Sequence, residues 1–503
     1  MSASATDDQR RNLRTWLDAS VDGSAGLRET HVSLLGFTND RVWKCKKAVR
    51  LPFVDLSTLE RRRENCEREV ALNRRLAPDV YLGVVPLVVD GGTVDYLVEM
   101  RRLPDDRRLS ALVGHDARAG GECVDAIADL LVRFHAGART GGDVDRSATP
   151  SSLEALWKRS IEEVRASSQR PLDDEIVDGI ERDALGYLSG RSPLFRERIA
   201  EHRIRDGHGD LLADDVFCLS GGPRLLDCLE FDDRLRYGDV LGDVAFLAMD
   251  LERLSRGDLA ARLLERYRME SGDRWPASLE HFYIAYRALV RAKVAVLRVS
   301  DDPSAATAAS ALLALSETHL RRGRVRLVLI GGAPATGKTT IARELAHASG
   351  WTVLRSDVIR KQLAGLEPID SARAPLDRGL YTQGGTDRTY AALVDQARAR
   401  LEHGDSVILD ASWGSRDRRR AAQALAGQTG SELVSFVCDV PPQVADQRAS
   451  TRMQQGNDSS DADASIASAL RARFDAWPEA VALDTSEAPD QLARLILTQL
   501  DLR

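Results

Sequence analysis

The sequence predicts an α+β part followed by an α/β part with a parallel sheet, and three observations lead to this fold class. The chain has 503 residues, more than one ordinary domain of roughly 100–200 residues. Short apolar runs surround one charged helical segment between residues 30 and 100, and helical periodicity dominates from 103 to about 320. Beyond residue 323, apolar strand candidates alternate with helical stretches. We therefore expect a strand-rich lobe at 1–102, a mainly helical lobe at 103–320 and a separate domain at 323–503.

The strand-rich lobe is predicted from short apolar runs around a single charged helix. The runs are HVSLLGF, DRVWKCKKAVRL, LGVVPLVV and VDYLVEM, and the helical segment is LERRRENCEREVALNRRL. In the strand VWKCKK, Lys44 and Lys46 lie two residues apart and therefore point to the same face of the sheet. The lobe thus presents two ammonium groups on one face of one strand.

A compact strand-turn segment at 203–231 interrupts the helical lobe. From His208 it reads HGDLLADDVFCLSGGPRLLDCLEFDD, and the carboxylates of Asp210, Asp215 and Asp227 surround the turn. Carboxylates of this kind suit a catalytic base and Mg²⁺ ligands. For any one of them alone, an acidic turn of structural origin is the default interpretation. Their combination favours a functional site.

This segment resembles the aminoglycoside phosphotransferase branch of the protein-kinase-like fold, in which the motif HGDL-x-x-x-N is followed by a later Asp. The resemblance implies that Asp210 is the catalytic base and that Asp215 and Asp227 hold Mg²⁺. Asp215 departs from the pattern, because the family carries Asn there. The additional negative charge beside ATP motivates an alternative, in which this module is a ligand-sensing pseudokinase that regulates the rest of the chain.

The strand-rich lobe fits the same bilobal fold. The helix CEREVALNRRL resembles the family's helix whose Glu pairs with an ATP-binding lysine, which implies this role for Glu69. Lys44 and Lys46 are both candidates for that lysine, and we favour Lys44. The segment VEMRRLP at 98–104 has the position of the hinge between the two lobes.

A second motif opens the domain at 323–503. Its string GAPATGKT fits G-x-x-x-x-G-K-[ST] between the strand RLVLI and the helix TIARELAHA, a context that disfavours a chance glycine-rich turn. In such a loop, backbone N–H groups surround the phosphates, Lys338 adds positive charge at the β and γ oxygens, and Thr339 offers a hydroxyl to Mg²⁺. The motif predicts ATP and Mg²⁺ as cofactors. The residues expected to bind ATP are Gly332, Ala333, Pro334, Ala335, Thr336, Gly337, Lys338, Thr339 and Thr340.

Carboxylates and arginines after the loop complete this candidate site. Asp410 closes the apolar run VILD, so we expect its carboxylate beside the phosphates as a second Mg²⁺ anchor. Asp357, in LRSDVIRKQL, can take the proton from an attacking hydroxyl while Arg360 holds an anionic group on the substrate. The alternative is that Asp357 only caps a helix and that Arg360 is solvated. Asp410 in turn has a simple capping or turn role as its alternative.

Arg448 and Arg452 are candidates for a lid over the transferring phosphoryl group. They lie four residues apart in VADQRASTRMQQG, and a plain charged helix face is an equally good interpretation of this spacing. The blocks GGAPATGKTT, SDVIRK and VILDAS and these arginines occur in the order found in gluconate kinases and, more distantly, zeta-toxin-type kinases. The resemblance implies ATP-dependent phosphorylation of a hydroxyl group, with Lys338 and Asp357 in catalytic roles.

The two modules together resemble a family of bacterial fusions between an aminoglycoside phosphotransferase-like domain and a P-loop ATP-binding domain. The resemblance implies a protein-kinase-like α+β bilobal domain followed by an α/β P-loop kinase domain. We expect an ATP- and Mg²⁺-dependent kinase that transfers the γ-phosphate to a hydroxyl of a small molecule, such as a sugar or amino sugar. A kinase acting on RNA or on nucleotide sugars is a weaker alternative, and the sequence gives no indication of the oligomeric state.

The composition limits the partners and the location. The net charge of −7 provides no general attraction to nucleic acid or anionic lipid, so a nucleic acid partner is disfavoured. No stretch approaches the roughly 20 apolar residues that a bilayer-spanning helix needs, so we expect a cytoplasmic protein without membrane contact. The six cysteines are scattered without a C-x-x-C pair, and we expect buried free thiols.

Overall fold

The computed structural model describes residues 3–20, 26–30, 32–51, 54–166, 173–300, 302–367, 378–455 and 464–501. Among these residues, none of the helices has both the length and the apolar character required to cross a bilayer. Up to residue 200 the elements are α1 (Ala3–Ser20), β1 (Gly26–Glu29), β2 (Ser33–Phe37), β3 (Arg41–Lys46), β4 (Arg50–Leu51), β5 (Val54–Asp55), α2 (Leu59–Asn73), β6 (Tyr81–Val89), β7 (Gly92–Arg101), α3 (Leu109–His115), α4 (Ala117–Gly137), α5 (Asp143–Arg146), α6 (Pro150–Ala166), α7 (Asp174–Gly190) and α8 (Ser192–Ala200).

The remaining elements follow in two groups. Between residues 204 and 322 they are β8 (Ile204–Asp206), β9 (Val216–Leu219), β10 (Gly222–Leu225), β11 (Tyr237–Asp239), α9 (Val240–Arg253), α10 (Gly257–Ser271), α11 (Ala277–Leu297) and α12 (Ala305–Arg322). From residue 326 they are β12 (Arg326–Gly331), α13 (Lys338–Ser349), β13 (Thr352–Arg355), α14 (Ser356–Leu363), α15 (Gln383–Glu402), β14 (Val407–Asp410), α16 (Arg416–Gln428), β15 (Glu432–Asp439), α17 (Pro442–Gln455), α18 (Ala464–Ala472), β16 (Val481–Asp484) and α19 (Pro489–Gln499).

An antiparallel sheet forms the centre of the amino-terminal lobe, with the strand order β1-β2-β3-β7-β6. Helix α2 packs on β6 and β7, where Cys66 and Val70 join Tyr81 and Val98 in a buried apolar cluster. The hydroxyl of Thr58 accepts a hydrogen bond from the backbone N–H three residues later and caps the first turn of α2. This packing fixes α2 against the sheet that carries the two lysines.

Helix α9 is the central element of the helical lobe. It packs against α4 and α10, and every residue from Val240 to Leu251 is buried. A helix that is buried on all sides normally carries apolar residues only, yet Asp243 and Asp250 are also buried here. Buried carboxylates need hydrogen-bond donors, which backbone N–H groups of the segment between β8 and β9 supply.

A parallel sheet forms the centre of the P-loop domain, with the order β13-β14-β12-β15-β16. All six residues of β12 are buried, as expected for a central strand covered by helices on both faces. The register pairs Ile330 with Asp410, so the ends of β12 and β14 lie side by side. The predicted fold class, α+β followed by α/β with a parallel sheet, is confirmed.

The chain divides into two compact units, each assembled from separate stretches of sequence. The first unit comprises residues 1–152, 198–274 and 286–291, and the second comprises 153–197, 275–285 and 292–503. Helices predicted as part of the helical lobe thus belong to the unit that contains the parallel sheet. Within this second unit, Arg191 donates a hydrogen bond to the Thr429 carbonyl, and the Ser278 hydroxyl donates to the Gly404 carbonyl at 2.7 Å. These contacts join segments that are far apart in the sequence.

The expectation of six free thiols is wrong for one pair of cysteines. Cys123 of α4 and Cys218 of β9 form a disulfide bond across 95 residues of sequence. The hairpin β9-β10 brings the two Cα atoms to 5.9 Å, and nothing in their sequence spacing indicated this approach. The remaining cysteines are buried free thiols, namely Cys45, Cys66, Cys228 and Cys438.

Candidate functional site

Two lysines and three carboxylates form a charge network in the amino-terminal unit. Lys44 Nζ lies 2.8 Å from Glu69 Oε1 and 2.7 Å from Asp227 Oδ1. Lys46 Nζ lies 2.5 Å from Glu69 Oε2 and 2.6 Å from Glu230 Oε1. Positive and negative charges therefore alternate along the network. It joins strand β3 and helix α2 to the loop that follows β10.

The network distinguishes the two lysines that the sequence left as alternatives. The Lys46 side chain is 1% exposed and lies between two carboxylates, whereas Lys44 contacts Asp227, whose side chain is 54% exposed. Burial disfavours the ammonium form of Lys44, but Asp227 and Glu69 outweigh this effect and hold its pKa well above the ordinary value. Lys44 is therefore the more exposed of the two lysines, with 13% of its side chain accessible.

Hydrogen bonds to one buried carboxylate shape the turn that presents Asp210. Asp243 on α9 accepts the backbone N–H of His208 at 2.6 Å and that of Gly209 at 2.9 Å. Its carboxylate also lies 3.3 Å from His135 Nε2. Burial alone would raise the pKa of Asp243, but these contacts keep it below the ordinary value. Gly209 has a φ of +90°, a conformation that favours glycine and that the turn requires.

The three predicted carboxylates of this module have different electrostatic surroundings. Burial raises the pKa of Asp210, and the nearby Arg291 opposes that shift. Burial and the negative charges of Asp227 and Asp210 raise the pKa of Asp215 well above its ordinary value. The ammonium group of Lys44 lowers the pKa of Asp227 to about 2. Negative charge thus accumulates here, which favours a bound cation.

These carboxylates fit Mg²⁺ only together with other ligands. In the described ranges, no group of three or more His, Cys, Asp and Glu side chains is spaced to hold a metal ion by itself. Mg²⁺ commonly takes one or two carboxylates and completes its shell with phosphate oxygens and water. Asp227 has a φ of +64°, and its N–H donates to Tyr81 Oη at 3.2 Å, which fixes the backbone that carries its carboxylate.

Three polar residues that support this turn were not identified from the sequence, namely Asp243, Asp250 and Arg291. Asp250 accepts the N–H of Ala213 at 2.9 Å, and Arg291 Nη1 of α11 lies 3.6 Å from Asp210 Oδ1. A signal existed for Asp243 and Asp250, because they interrupt the apolar segment VLGDVAFLAMDLE, and buried aspartates need partners. Arg291 gave no such signal, since an arginine on a helix is usually solvated.

The loop between β12 and α13 adopts backbone conformations that favour glycine at two positions. Gly332 has a φ of +135° and Gly337 a φ of +91°. A Cβ on Gly332 would lie 2.5 Å from the carbonyl oxygen of Cys438. Lys338 Nζ donates to the Ala333 carbonyl at 2.8 Å, inside the curve of the loop. The loop therefore wraps over the amino terminus of α13, as a phosphate-binding loop must.

Thr339 and Asp410 meet at the end of the parallel sheet. Thr339 Oγ1 donates to Asp410 Oδ2 at 2.7 Å, and Arg355 Nε donates to the same oxygen at 3.3 Å. Asp410 is the last residue of β14 and is buried. A hydroxyl and a carboxylate oxygen in contact are the hard oxygen ligands that Mg²⁺ takes beside a nucleotide, so the donor set fits this ion.

Asp357 lies in the first turn of α14, where Arg355 has the N-cap position. The alternative that Asp357 caps this helix is therefore wrong. Burial raises the pKa of Asp357, and the positive charge of Arg360 opposes the shift. Arg360 is 8% exposed, and its Nη1 donates to the Leu380 carbonyl and to Thr386 Oγ1, each at 3.1 Å. The guanidinium group of Arg360 is thus held in place and is not solvated, which also contradicts the alternative for that residue.

Arg448 is attached to the segment that follows β16. Its guanidinium group donates to Thr485 Oγ1 at 3.2 Å and to the Thr485 carbonyl at 2.9 Å. Thr485 Oγ1 in turn donates to the Thr336 carbonyl of the loop at 2.6 Å. Arg452 belongs to the same helix, α17, but its side chain lies outside the described part of the structure.

A cavity of about 1140 Å³ brings most of the predicted residues of this domain together. Tyr390, Ser412 and Arg418 are among the lining residues that the sequence did not single out: the Tyr390 hydroxyl lies 3.0 Å from Ser412 Oγ, and Arg418 lies 4.7 Å from the centre of the Tyr390 ring. Gly332 and Thr336 of the loop are buried. The predicted residues that line the cavity are Ala333, Pro334, Ala335, Gly337, Lys338, Thr339, Thr340, Asp357, Arg360, Asp410 and Arg448.

Comparison with known families agrees with this arrangement. The profile of the phosphotransferase enzyme family matches residues 35–307, and that of the AAA domain matches residues 327–477. The chain belongs to the phosphotransferase enzyme family. The predicted combination of an aminoglycoside phosphotransferase-like domain with a P-loop kinase-like domain is confirmed, and both modules are kinase-like.

Individual relatives span the chain to different extents. An uncharacterised protein of Mycobacterium tuberculosis strain H37Rv is 42% identical over 462 residues, which is 92% of each chain. A shikimate kinase of Corynebacterium diphtheriae is 34% identical over 151 residues, covering 26% of this chain and 87% of the kinase. The crystal structure of a choline/ethanolamine kinase family protein from Mesorhizobium loti is 15% identical with a TM-score of 0.39, covering 63% of this chain and 99% of that one.

Proposed function

We propose that the protein transfers the γ-phosphate of ATP to a hydroxyl group of a small molecule in a reaction that depends on Mg²⁺. The observation that carries this proposal is the cavity in which the loop residues Lys338 and Thr339 share one space with Asp357 and Arg360. A nucleotide site and a candidate acceptor site with a carboxylate and a guanidinium group in one cavity suit phosphoryl transfer. Dependence on ATP also favours the cytoplasm as the location.

In the P-loop domain, each residue has a proposed role. Lys338 and the loop N–H groups bind the phosphates, and Thr339 and Asp410 hold Mg²⁺, which when bound neutralises charge on the phosphate oxygens. Asp357 accepts the proton of the acceptor hydroxyl. Its raised pKa makes it a stronger base than an ordinary aspartate.

In the amino-terminal module, the charge network suggests a second phosphotransfer site. Lys44, held by Glu69, binds the nucleotide phosphates, and its present contact with Asp227 at 2.7 Å is exchanged when the nucleotide arrives. Asp215 and Asp227 would hold Mg²⁺, and Asp210 accepts the proton of the acceptor hydroxyl. Asp210 is suited to this role because burial raises its pKa.

The full-length protein tests both sites through release of ADP. Sugars, sugar acids, amino sugars and aminoglycosides are screened as acceptors with the wild type and with Lys338→Ala and Asp210→Asn variants. Arg343→Ala is the matched control for Lys338→Ala, because Arg343 is exposed on the same helix, α13. We expect ADP release that depends on the acceptor. Each site variant should lower this release by two or more orders of magnitude for the acceptor that its site phosphorylates. Full activity in Lys338→Ala for every acceptor would contradict the role of the P-loop domain.

A ligand-sensing role of the amino-terminal module is the second candidate, and the carboxylate of Asp215 favours it. Asp215 replaces a neutral amide of the family pattern, and its strongly raised pKa reflects burial together with repulsion by Asp227 and Asp210. The Lys338→Ala protein is compared with the same protein that also carries Asp210→Asn. If a phosphorylated product forms in the first and is lost in the second, the amino-terminal module is not a pure sensor. If no such product forms, while amino-terminal ligands change the P-loop activity of the wild type, the sensor is favoured.

A further inference from the structure

Arg291 of α11 lies beside the proposed base of the amino-terminal module. Its Nη1 is 3.6 Å from Asp210 Oδ1, a distance that allows charge attraction but exceeds a hydrogen bond. The side chain of Arg291 is 26% exposed and that of Asp210 is 36% exposed. No residue that the structure describes accepts a hydrogen bond from the Arg291 guanidinium group. Its donors are therefore available to another anion.

The positive groups of this module act on different carboxylates. Among the positively charged side chains, Lys44 has the largest lowering effect on the pKa of Asp215 and on that of Asp227. Arg291 has the largest lowering effect on the pKa of Asp210. Lys44 thus belongs to the end of the site where nucleotide and metal bind. Arg291 belongs to the end where the acceptor hydroxyl must meet its base.

The neighbouring Arg287 does not compete for this role. Its Nε donates to the Gly242 carbonyl at 3.0 Å, and its guanidinium group lies 4.8 Å from the centre of the Phe246 ring. These contacts hold Arg287 against α9 and leave it as a fixed positive charge. Of the two arginines on this turn of α11, Arg291 is the one for which the described residues provide no hydrogen-bond acceptor.

We propose that the acceptor of the amino-terminal module carries an anionic group, a carboxylate or a phosphate, close to its hydroxyl, and that Arg291 binds this group. The inference rests on the proposed phosphotransfer function of the module. During transfer, the acceptor oxygen forms a bond to the γ-phosphorus, the bond from that phosphorus to the leaving oxygen of ADP breaks, and Asp210 takes the hydroxyl proton. A guanidinium group offers paired donors that match carboxylate and phosphate oxygens. An amino sugar would instead place a cation next to Arg291.

Binding of matched probes tests this proposal directly. D-glucuronate, D-glucose 6-phosphate, D-glucose and D-glucosamine are titrated calorimetrically into the full-length Lys338→Ala protein saturated with Mg²⁺ and a non-hydrolysable ATP analogue. The same titrations are made after adding Arg291→Ala or Arg291→Lys. Arg298→Ala is the matched control, because Arg298 is an exposed arginine at the end of the same helix.

We expect an anionic probe to bind more tightly than glucose and glucosamine, and to lose about 10- to 100-fold in affinity in Arg291→Ala. Arg291→Lys should restore part of this affinity, and Arg298→Ala should leave it unchanged. The proposal is overturned if no anionic probe shows binding that depends on Arg291, or if glucosamine is the preferred probe.

The two proposals fail in different ways. Binding of an anionic probe through Arg291 without any product that depends on Asp210 would leave the anion site intact and remove phosphotransfer by this module. The opposite result is a product that depends on Asp210, with glucosamine as acceptor and with an unchanged KM in Arg291→Ala. It would support phosphotransfer by this module and would exclude the anion site at Arg291. If Arg291→Ala instead raises the KM for ATP alone, Arg291 contacts the transferring phosphate and the acceptor assignment is wrong.

Discussion

Replacing Gly332 by alanine tests whether the shape of the P-loop determines nucleotide binding. Gly332 has a φ of +135°, and the new Cβ would lie 2.5 Å from the Cys438 carbonyl oxygen and 2.7 Å from Thr336 Oγ1. The carbonyl belongs to the backbone of β15 and cannot rotate away, so the loop must shift. Backbone strain of this kind costs about 1–3 kcal/mol, which corresponds to a loss of about 5- to 150-fold in ATP affinity if only the native loop binds.

The assay is titration of ATP into the full-length protein in which Lys44→Met removes the amino-terminal nucleotide site. Gly350→Ala is the matched control, because Gly350 has a φ of +74° at the end of α13 and, apart from its chain neighbours and its own helix, no described residue has an atom within 4 Å of the added Cβ. The control should lose about 1 kcal/mol of stability through its backbone conformation while keeping its ATP affinity. Unchanged ATP affinity in Gly332→Ala, or an equal loss in Gly350→Ala, would refute the reasoning.

Three further predictions concern the amino-terminal unit. Lys46→Met should lower the free energy of unfolding, measured in urea, by about 3–5 kcal/mol, because it leaves buried carboxylates without a partner. Lys44→Met should instead mainly reduce the affinity for the nucleotide. Burial lowers the pKa of His208 below its ordinary 6.5, so just below that pH the imidazole takes up a proton in the unfolded chain but not in the folded one. The thermal midpoint should therefore fall on acidification, and it should fall less in His208→Asn. Reduction of the bond between Cys123 and Cys218 should cost about 4 kcal/mol in urea unfolding, because it opens a loop of 95 residues.

Each of these predictions has an outcome that contradicts it. Equal losses of stability and nucleotide affinity in the two lysine variants would remove the distinction between them. An identical pH dependence of the thermal midpoint in wild type and His208→Asn would show that this imidazole is not responsible. A Cys123→Ser/Cys218→Ser variant as stable as the oxidised wild type would exclude a structural contribution of the disulfide.

The residues of the P-loop and the carboxylate beside it could be named from the sequence because the pattern that indicates them is local. Eight consecutive residues specify the glycine conformations, the lysine and the hydroxyl, and the end of an apolar strand specifies Asp410. Other residues that line the same cavity were not predicted. Tyr390 and Arg418 reach the cavity from separate helices, and nothing near them in the sequence indicates a common site.

The amino-terminal site shows the same division between local and distant information. Strand alternation placed Lys44 and Lys46 on one face, but the choice between them depends on Glu230 and Asp227, more than 180 residues away. Asp210 was predicted from its motif. Arg291, which lies beside it, follows 81 residues later on a helix with an ordinary pattern.

The sequence by itself determined the two fold classes, the P-loop, the position of the acidic turn and the pair of lysine candidates, because these depend on periodicity and on neighbouring residues. The tertiary structure decided which lysine faces an exposed carboxylate, which cysteines are bonded and where the compact units divide. These features depend on side chains that meet only after distant segments have packed, and local spacing carries no information about that packing.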